Sequence, residues 1–223
     1  MESKHEITED FNRIACLGEN KWDHNRHYHK YLLRHMSEQC GLSLDIGCGT
    51  GEFSRLLARK YEGVQGIDLS PEMIKKAIEI SQGYDNISYS LGDILEHPLE
   101  ENNYDCIVSI ATMHHLPLER MLNIADKSLR QGGTFLVLDL YKQQSIVDFI
   151  YSAAAIPINL LFMLFKTGHL RKSEEEIKAW DEHGKHDNYL TIKEVKQACR
   201  NILPGAKVKR HLFWRYSLVW KKQ

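Results

Sequence analysis

The chain has 223 residues, 29 Lys and Arg against 30 Asp and Glu, a formal net charge of -1 and 43% hydrophobic residues. This length suits one domain with a sizeable core, and the charge balance argues against nucleic acid, whose partners usually carry a basic excess. Five scattered cysteines (Cys16, Cys40, Cys48, Cys106, Cys199) form no C-x-x-C pair; with a polar, charged N-terminus they argue against a disulfide framework, a zinc site and a secretory signal, leaving a reduced, cytoplasmic protein as the expectation.

Residues 5–37 read as two helices with an irregular join around Gly18 to Asp23. Aromatics and histidines crowd the stretch from Trp22 to Tyr31, where His24, His27 and Tyr28 share a helix face. The default reading there is a solvated polar face, since no carboxylate or cysteine stands at convincing spacing for a metal.

Strand-like runs follow at 42–46, 63–67, 86–91, 104–110 and 133–140, with helical patterns near 52–61, 71–82 and 118–130. Such alternation implies parallel pairing, with helices on both faces of a sheet. Ser70 and Pro71 suit a cap and a first helical turn, and the nearly continuous apolar run 104–110 suits a central strand. The first run leads into Leu44-Asp45-Ile46-Gly47-Cys48-Gly49-Thr50-Gly51, a strand, a turn with three glycines and a helix opening near Glu52. A ligand can approach such a main chain closely and meet the positive end of the helix. Asp68 closes the second run, where a carboxylate accepts from both hydroxyls of a ribose. The glycines fall as G-x-G-x-G, and Glu52 at the third-glycine position would face a pyrophosphate, which argues against a dinucleotide; no P-loop pattern occurs either.

The third run ends in Gly92-Asp93-Ile94 and the fourth in Ser109-Ile110-Ala111-Thr112-Met113-His114-His115-Leu116-Pro117. Either histidine is a candidate general base, because imidazole titrates near neutral pH; alternatively one packs under a ligand and the other caps the next helix. After Leu140 the alternation breaks into an insertion at 145–185. Phe149 to Phe165 carries no charge and approaches the ~20 apolar residues of a membrane span, but Pro157 and Asn159 interrupt it. Two short apolar helices forming a lid are expected, with a surface-dipping hairpin for a lipid-like acceptor, or a homodimer contact, as alternatives. From Trp180 to Tyr189 titratable groups concentrate; His183 or His186, oriented by Asp187 or Glu182, is a second candidate base, and a solvated charged loop fits equally. Thr191 and Glu194 frame a capping box for a helix to Arg200. Residues 207–222 read as two strands around His211, with Arg215 and Tyr216 within reach of an acceptor pocket. The many basic residues beyond Glu194 suit either a protected sheet edge or anionic lipid heads and a carboxylated substrate.

The glycine turn, Asp68 and Gly92-Asp93-Ile94, in that order, resemble the motifs of the class I S-adenosylmethionine-dependent methyltransferases. The resemblance covers Leu42 to Leu140 well. It implies a Rossmann-like, seven-stranded, mostly parallel α/β sheet with helices on both faces and an antiparallel C-terminal hairpin. It also implies S-adenosylmethionine as cofactor: Gly47, Gly49 and Gly51 around its amino-acid end, with Asp45 orienting that loop. Asp68, beside Leu69, would take the ribose, Asp93 and Ile94 the adenine; Ile110 would flank the methyl donor and Tyr28 would close over it. His114, His183 and His186 are the candidate bases. The expected layout is one domain: a helical cap over 1–40, the cofactor-binding core over 41–140, a lid over 141–190, and a helix with an edge hairpin over 191–223. With no Asn/Asp-Pro-Pro-aromatic motif and no paired glutamates, the expected acceptor is a small, hydrophobic or lipid-like molecule. A cofactor-binding regulatory subunit, or a membrane-surface protein without transfer activity, is the alternative.

Overall fold

The computed structural model describes residues 4–16, 22–169, 174–184 and 187–223. Five strands pair in parallel: β1 (Leu42–Ile46), β2 (Gly63–Asp68), β3 (Ile87–Leu91), β4 (Tyr104–Ile110) and β5 (Leu129–Leu140). Then β6 (Lys207–Arg210) and β7 (Arg215–Lys221) close the sheet antiparallel, in the order β3-β2-β1-β4-β5-β7-β6. Strand order reverses between β1 and β4, so a crevice opens beyond the carboxyl ends of those two strands, where open α/β sheets hold their ligands. Central β4 is buried from Tyr104 to Ser109 and β3, at the edge, is half exposed, as the apolar patterns anticipate. β5 begins earlier than its pattern suggests, because Leu129 follows directly on a helix and pairs with Tyr104 across a register shift.

Helices α4 (Glu52–Leu57), α5 (Pro71–Ile80), α6 (Leu118–Ser128) and α9 (Ile192–Ile202) flank the sheet. The local signals act as read: the Ser70 side chain accepts from the Met73 N–H, and Thr191 and Glu194 form a reciprocal capping box. Before the sheet come α1 (Lys4–Ala15) and the short turns α2 (His24–His27) and α3 (His29–Leu33).

Two expectations are corrected. The insertion holds α7, one continuous helix over Ile146–Thr167, followed by α8 (Glu174–His183). An interior proline costs a helix roughly 3 kcal/mol, but α7 continues through Pro157 with packing on both sides of it. Ala155 is buried, Asn159 accepts from the Trp22 indole at 2.8 Å, and Phe162 stacks on Trp22 at 4.6 Å. The face shared by His24, His27 and Tyr28 is only partly solvated: Tyr28 is buried, His24 half-buried and His27 exposed. Those rings gather around Phe213, with centroids at 5.0, 5.3 and 6.4 Å.

Candidate active site

The turn after β1 favours glycine because its backbone is left-handed at three positions. Gly47, Gly49 and Gly51 all take positive φ, at 67°, 51° and 73°. A Cβ on Gly47 would stand 2.1 Å from the Thr112 hydroxyl, whereas one on Gly49 would meet nothing nearer than Met73 Sδ at 4.0 Å. The turn is thus pressed against the segment after β4 on one side and open at Gly49. There the Gly49 N–H donates to Asp68 Oδ2 at 2.8 Å, and Ser70 N–H donates to Asp68 Oδ1 at 2.9 Å. Asp45, buried beneath the turn, accepts from the Ser54 hydroxyl at 2.6 Å. Desolvation raises both acids despite these hydrogen bonds, Asp45 to about 6. The Gly92 N–H ties β3 to the end of β2 by donating to the Asp68 carbonyl; Asp93 Oδ1 accepts from Leu95 N–H at 2.9 Å, and Ile94 is buried. Ile110 ends β4 half buried, and Leu69 follows Asp68 at the same end of the sheet.

This ring of acids fits a cationic nucleoside and repels a polyphosphate. A cofactor bearing an ammonium and a sulfonium would lower the cost of ionising the two buried carboxylates Asp45 and Asp68. The observation that tests the fit is Gly49, whose open side lies beside Asp68.

The N-terminal turns reach the loop through a residue that sequence reading passed over. Arg26 clamps Glu52, the first residue of α4, with Nε at 2.7 Å from one carboxylate oxygen and Nη2 at 3.0 Å from the other. Glu52 was the visible signal, a lone acid at a helix start. Tyr28 instead points to the C-terminal hairpin: its hydroxyl donates to the Leu212 carbonyl at 3.0 Å and its ring meets His211 at 4.8 Å. Burial pushes its phenol up to about 12, so it acts as a neutral hydrogen-bond donor.

On the other side of the crevice, β4 passes through Ala111, a non-glycine residue at φ 51°, into a tight turn over Met113–His115. Strain of this kind collects at functional sites. The turn places His114 Nδ1 2.6 Å from Asp139 Oδ1, with both side chains almost fully buried. Asp139 is the last residue but one of β5; its Oδ1 also accepts from Leu140 N–H at 2.8 Å, and its Oδ2 is buried with no hydrogen-bond partner among the described residues. Asp187 closes over the pair, 3.9 Å from His114 Nε2 and 3.6 Å from His115 Nδ1, and accepts from the Tyr189 hydroxyl. Arg215, buried at the start of β7, donates from Nε to Asn25 at 2.7 Å. Burial disfavours charge on His114, but the charge and hydrogen bond of Asp139, joined by Asp187, outweigh it and hold its pKa above the usual imidazole value.

Asp139 escaped sequence reading; its only signal was an acid at the carboxyl end of an otherwise apolar strand. Asp187, expected to orient His183 or His186, faces the 114–115 turn. The side chain of His183 and the whole of His186 lie outside the described residues. His114, His115 and Asp187 each offer one ligand atom within 4.8 Å of the others, inside the reach of a divalent cation. With Nδ1 of His114 on Asp139 and a carboxylate oxygen of Asp187 on Tyr189, the cluster is equipped to hold and move a proton.

Residues 44–137 match the family model described as a methyltransferase domain. That stretch, which holds the glycine turn and the 114–115 turn, is similar to a methyltransferase domain. An uncharacterised methyltransferase of Mycobacterium tuberculosis is 26% identical over 206 residues, 90% of this chain and 96% of that protein. The sterol 24-C-methyltransferase of Saccharomyces cerevisiae is 33% identical over 120 residues, 51% of this chain but 31% of its own length. Among solved structures, geranyl diphosphate C-methyltransferase of Streptomyces coelicolor, in complex with Mg2+, geranyl diphosphate and S-adenosyl-L-homocysteine, superposes with a TM-score of 0.66 at 11% identity, covering 98% of this chain and 97% of that one. At that identity the likeness speaks for the methyltransferase fold alone.

Proposed function

We propose that this protein transfers the methyl group of S-adenosylmethionine to a small, hydrophobic or lipid-like acceptor, with His114 taking the acceptor's proton. The observation that carries this is the buried His114–Asp139 pair, 2.6 Å apart, on the segment whose Thr112 packs against the glycine turn. Proton acceptor and cofactor loop thereby share one crevice.

Asp68 and Leu69 would hold the ribose, Asp93 and Ile94 the adenine, and Gly47, Gly49 and Gly51, with Asp45 beneath, the amino-acid end. When bound, the cofactor supplies a methyl group activated by a sulfonium. The protein's part is chiefly alignment, and holding reactants in line can account for roughly 7–11 kcal/mol of a barrier. Asp139 fixes the His114 tautomer with the proton on Nδ1, leaving Nε2 to receive a proton from a hydroxyl or acidic carbon, and Asp139 then stabilises the imidazolium. Asp187 and Tyr189 shield this step from water. The base is assigned to His114 rather than to His183 or His186 because His114 has a buried carboxylate to orient it. The hydrophobic character of the acceptor is supported by the broad apolar surface of α7 and by a sterol among the named substrates of relatives.

Calorimetric titration with S-adenosylmethionine, S-adenosylhomocysteine and NADH tests the cofactor. Labelled methyl transfer to a panel of phenols, sterols and isoprenoid alcohols, with native protein and His114→Asn, tests the rest. Binding of the first two ligands, with transfer lost in the variant, is the expected result. Absence of S-adenosylmethionine binding would overturn the proposal.

A further inference from the structure

Helix α7 is amphipathic in the inverted sense. Its polar residues Asp148, Ser152 and Asn159 turn toward the protein, where Asp148 pairs with Arg210 at 2.7 Å and Asn159 bonds Trp22 and His24. Its outward residues are apolar: Ile146 is 80% exposed, Phe149 58%, Ile150 61% and Phe165 82%, with Leu160, Leu161 and Leu164 between them. A helix facing water carries the opposite pattern. At 3.6 residues per turn the exposed apolar arc covers roughly 220° of the circumference, more than twice the ~100° stripe that a single facing element buries. A surrounding medium, rather than one partner surface, matches that width. Charge agrees: Phe149 to Phe165 holds none, the helix's one acid is buried and neutralised by Arg210, and exposed Lys142 and Lys166 flank the apolar stretch. Lys209, also exposed, lies on β6 beside Arg210.

We infer that α7 docks the protein on a lipid bilayer, lying in the interface with its outward face among the acyl chains and Lys142, Lys166 and Lys209 toward anionic headgroups. By length and composition α7 qualifies for a crossing, but its inner face is committed to Trp22, Phe213 and Arg210, so it lies flat. A helix seated in this way sinks ~5–10 Å below the headgroups. The docking stands without the methyl-transfer reading; where both hold, the hydrophobic acceptor comes from the bilayer.

The test is co-sedimentation of the chain with phosphatidylcholine vesicles, with and without phosphatidylglycerol, at low and high salt. The comparison is a Phe149→Ser/Leu161→Ser/Phe165→Ser variant, whose changes are all on exposed positions and leave the thermal unfolding midpoint in place. Binding that survives high salt, is strengthened by phosphatidylglycerol and falls about tenfold or more in the variant supports the inference. No binding to either vesicle, equal binding by the variant, or a sedimentation-equilibrium dimer abolished by the same changes would overturn it. Titration of the same sample with S-adenosylmethionine separates the two proposals, since vesicle docking and cofactor binding can fail independently.

Discussion

Replacing Asp139 by Asn removes one charge from the centre of the crevice while keeping the side chain's shape. The amide oxygen can still accept from His114 Nδ1, so the imidazole keeps its tautomer. A hydrogen bond to a charged group is worth about 1.5–3 kcal/mol and a neutral one about 0.5–1.5. The loss is therefore about 1–2 kcal/mol, or roughly 2–8 °C in Tm for a chain of this size. The pH dependence carries the sharper test. Native His114 has a pKa raised above its unfolded value by Asp139 and Asp187 against the opposing effect of burial. Its contribution to stability is thus fully present below the unfolded pKa near 6.5 and is lost as pH rises through the folded one. Scanning calorimetry should show the Tm gap between native protein and Asp139→Asn wide at pH 5.5 and narrow above pH 8. In transfer assays the acidic limb of kcat/KM should move to lower pH in the variant, because burial then dominates His114. General base catalysis is worth about 10²–10⁴-fold, so His114→Asn should cost that much in kcat. A Tm gap of equal size at both pH values would refute the claim that Asp139 raises the pKa of His114.

Asp68→Asn keeps the side chain's shape but withdraws the carboxylate from the proposed ribose site; calorimetry should find S-adenosylmethionine bound about tenfold to a hundredfold more weakly, from a loss of about 1.5–3 kcal/mol. Asp45, raised by burial to about 6, costs the folded state stability as pH rises from its unfolded value through that pKa. Asp45→Asn should accordingly melt higher than native protein above pH 6 and no higher at pH 4; a gain of equal size at both would contradict the assignment. Gly47→Ala meets both the Thr112 side chain and a left-handed backbone penalty of roughly 1–2 kcal/mol; chemical denaturation should show a loss that Thr112→Ala only partly restores. Thr191→Ala removes the cap of α9 and should cost about 0.5–2 kcal/mol, read from urea midpoints at constant slope.

Much of the fold, and the local part of the proposed site, can be read directly along the chain, because the interactions concerned are short-range. Ser70 reaches only to Met73 and Thr191 only to Glu194, the strand runs declare their burial by composition, and the glycine turn needs positive φ whatever surrounds it. The proposed cofactor side of the crevice draws on the same local order: Asp45, Asp68 and Asp93 lie at or just beyond the carboxyl ends of β1, β2 and β3. The acceptor side is a meeting of distant segments. His114 finds Asp139 across 25 positions, Asn159 finds Trp22 across 137, and Tyr28 finds Leu212 across 184. Residues 24–28 show the limit, since nothing local says that His24 stacks on Phe213 and His27 meets it edge-on while Arg26 leaves for Glu52. Pro157 shows it again: helix propensity argues for a break, and packing on Trp22 overrides it. Strand and cap formation depend on spacings that the chain itself displays. Which carboxylate faces which imidazole, and which side of α7 is left outside, depends on how the sheet brings remote segments together, and that was settled only by the packed molecule.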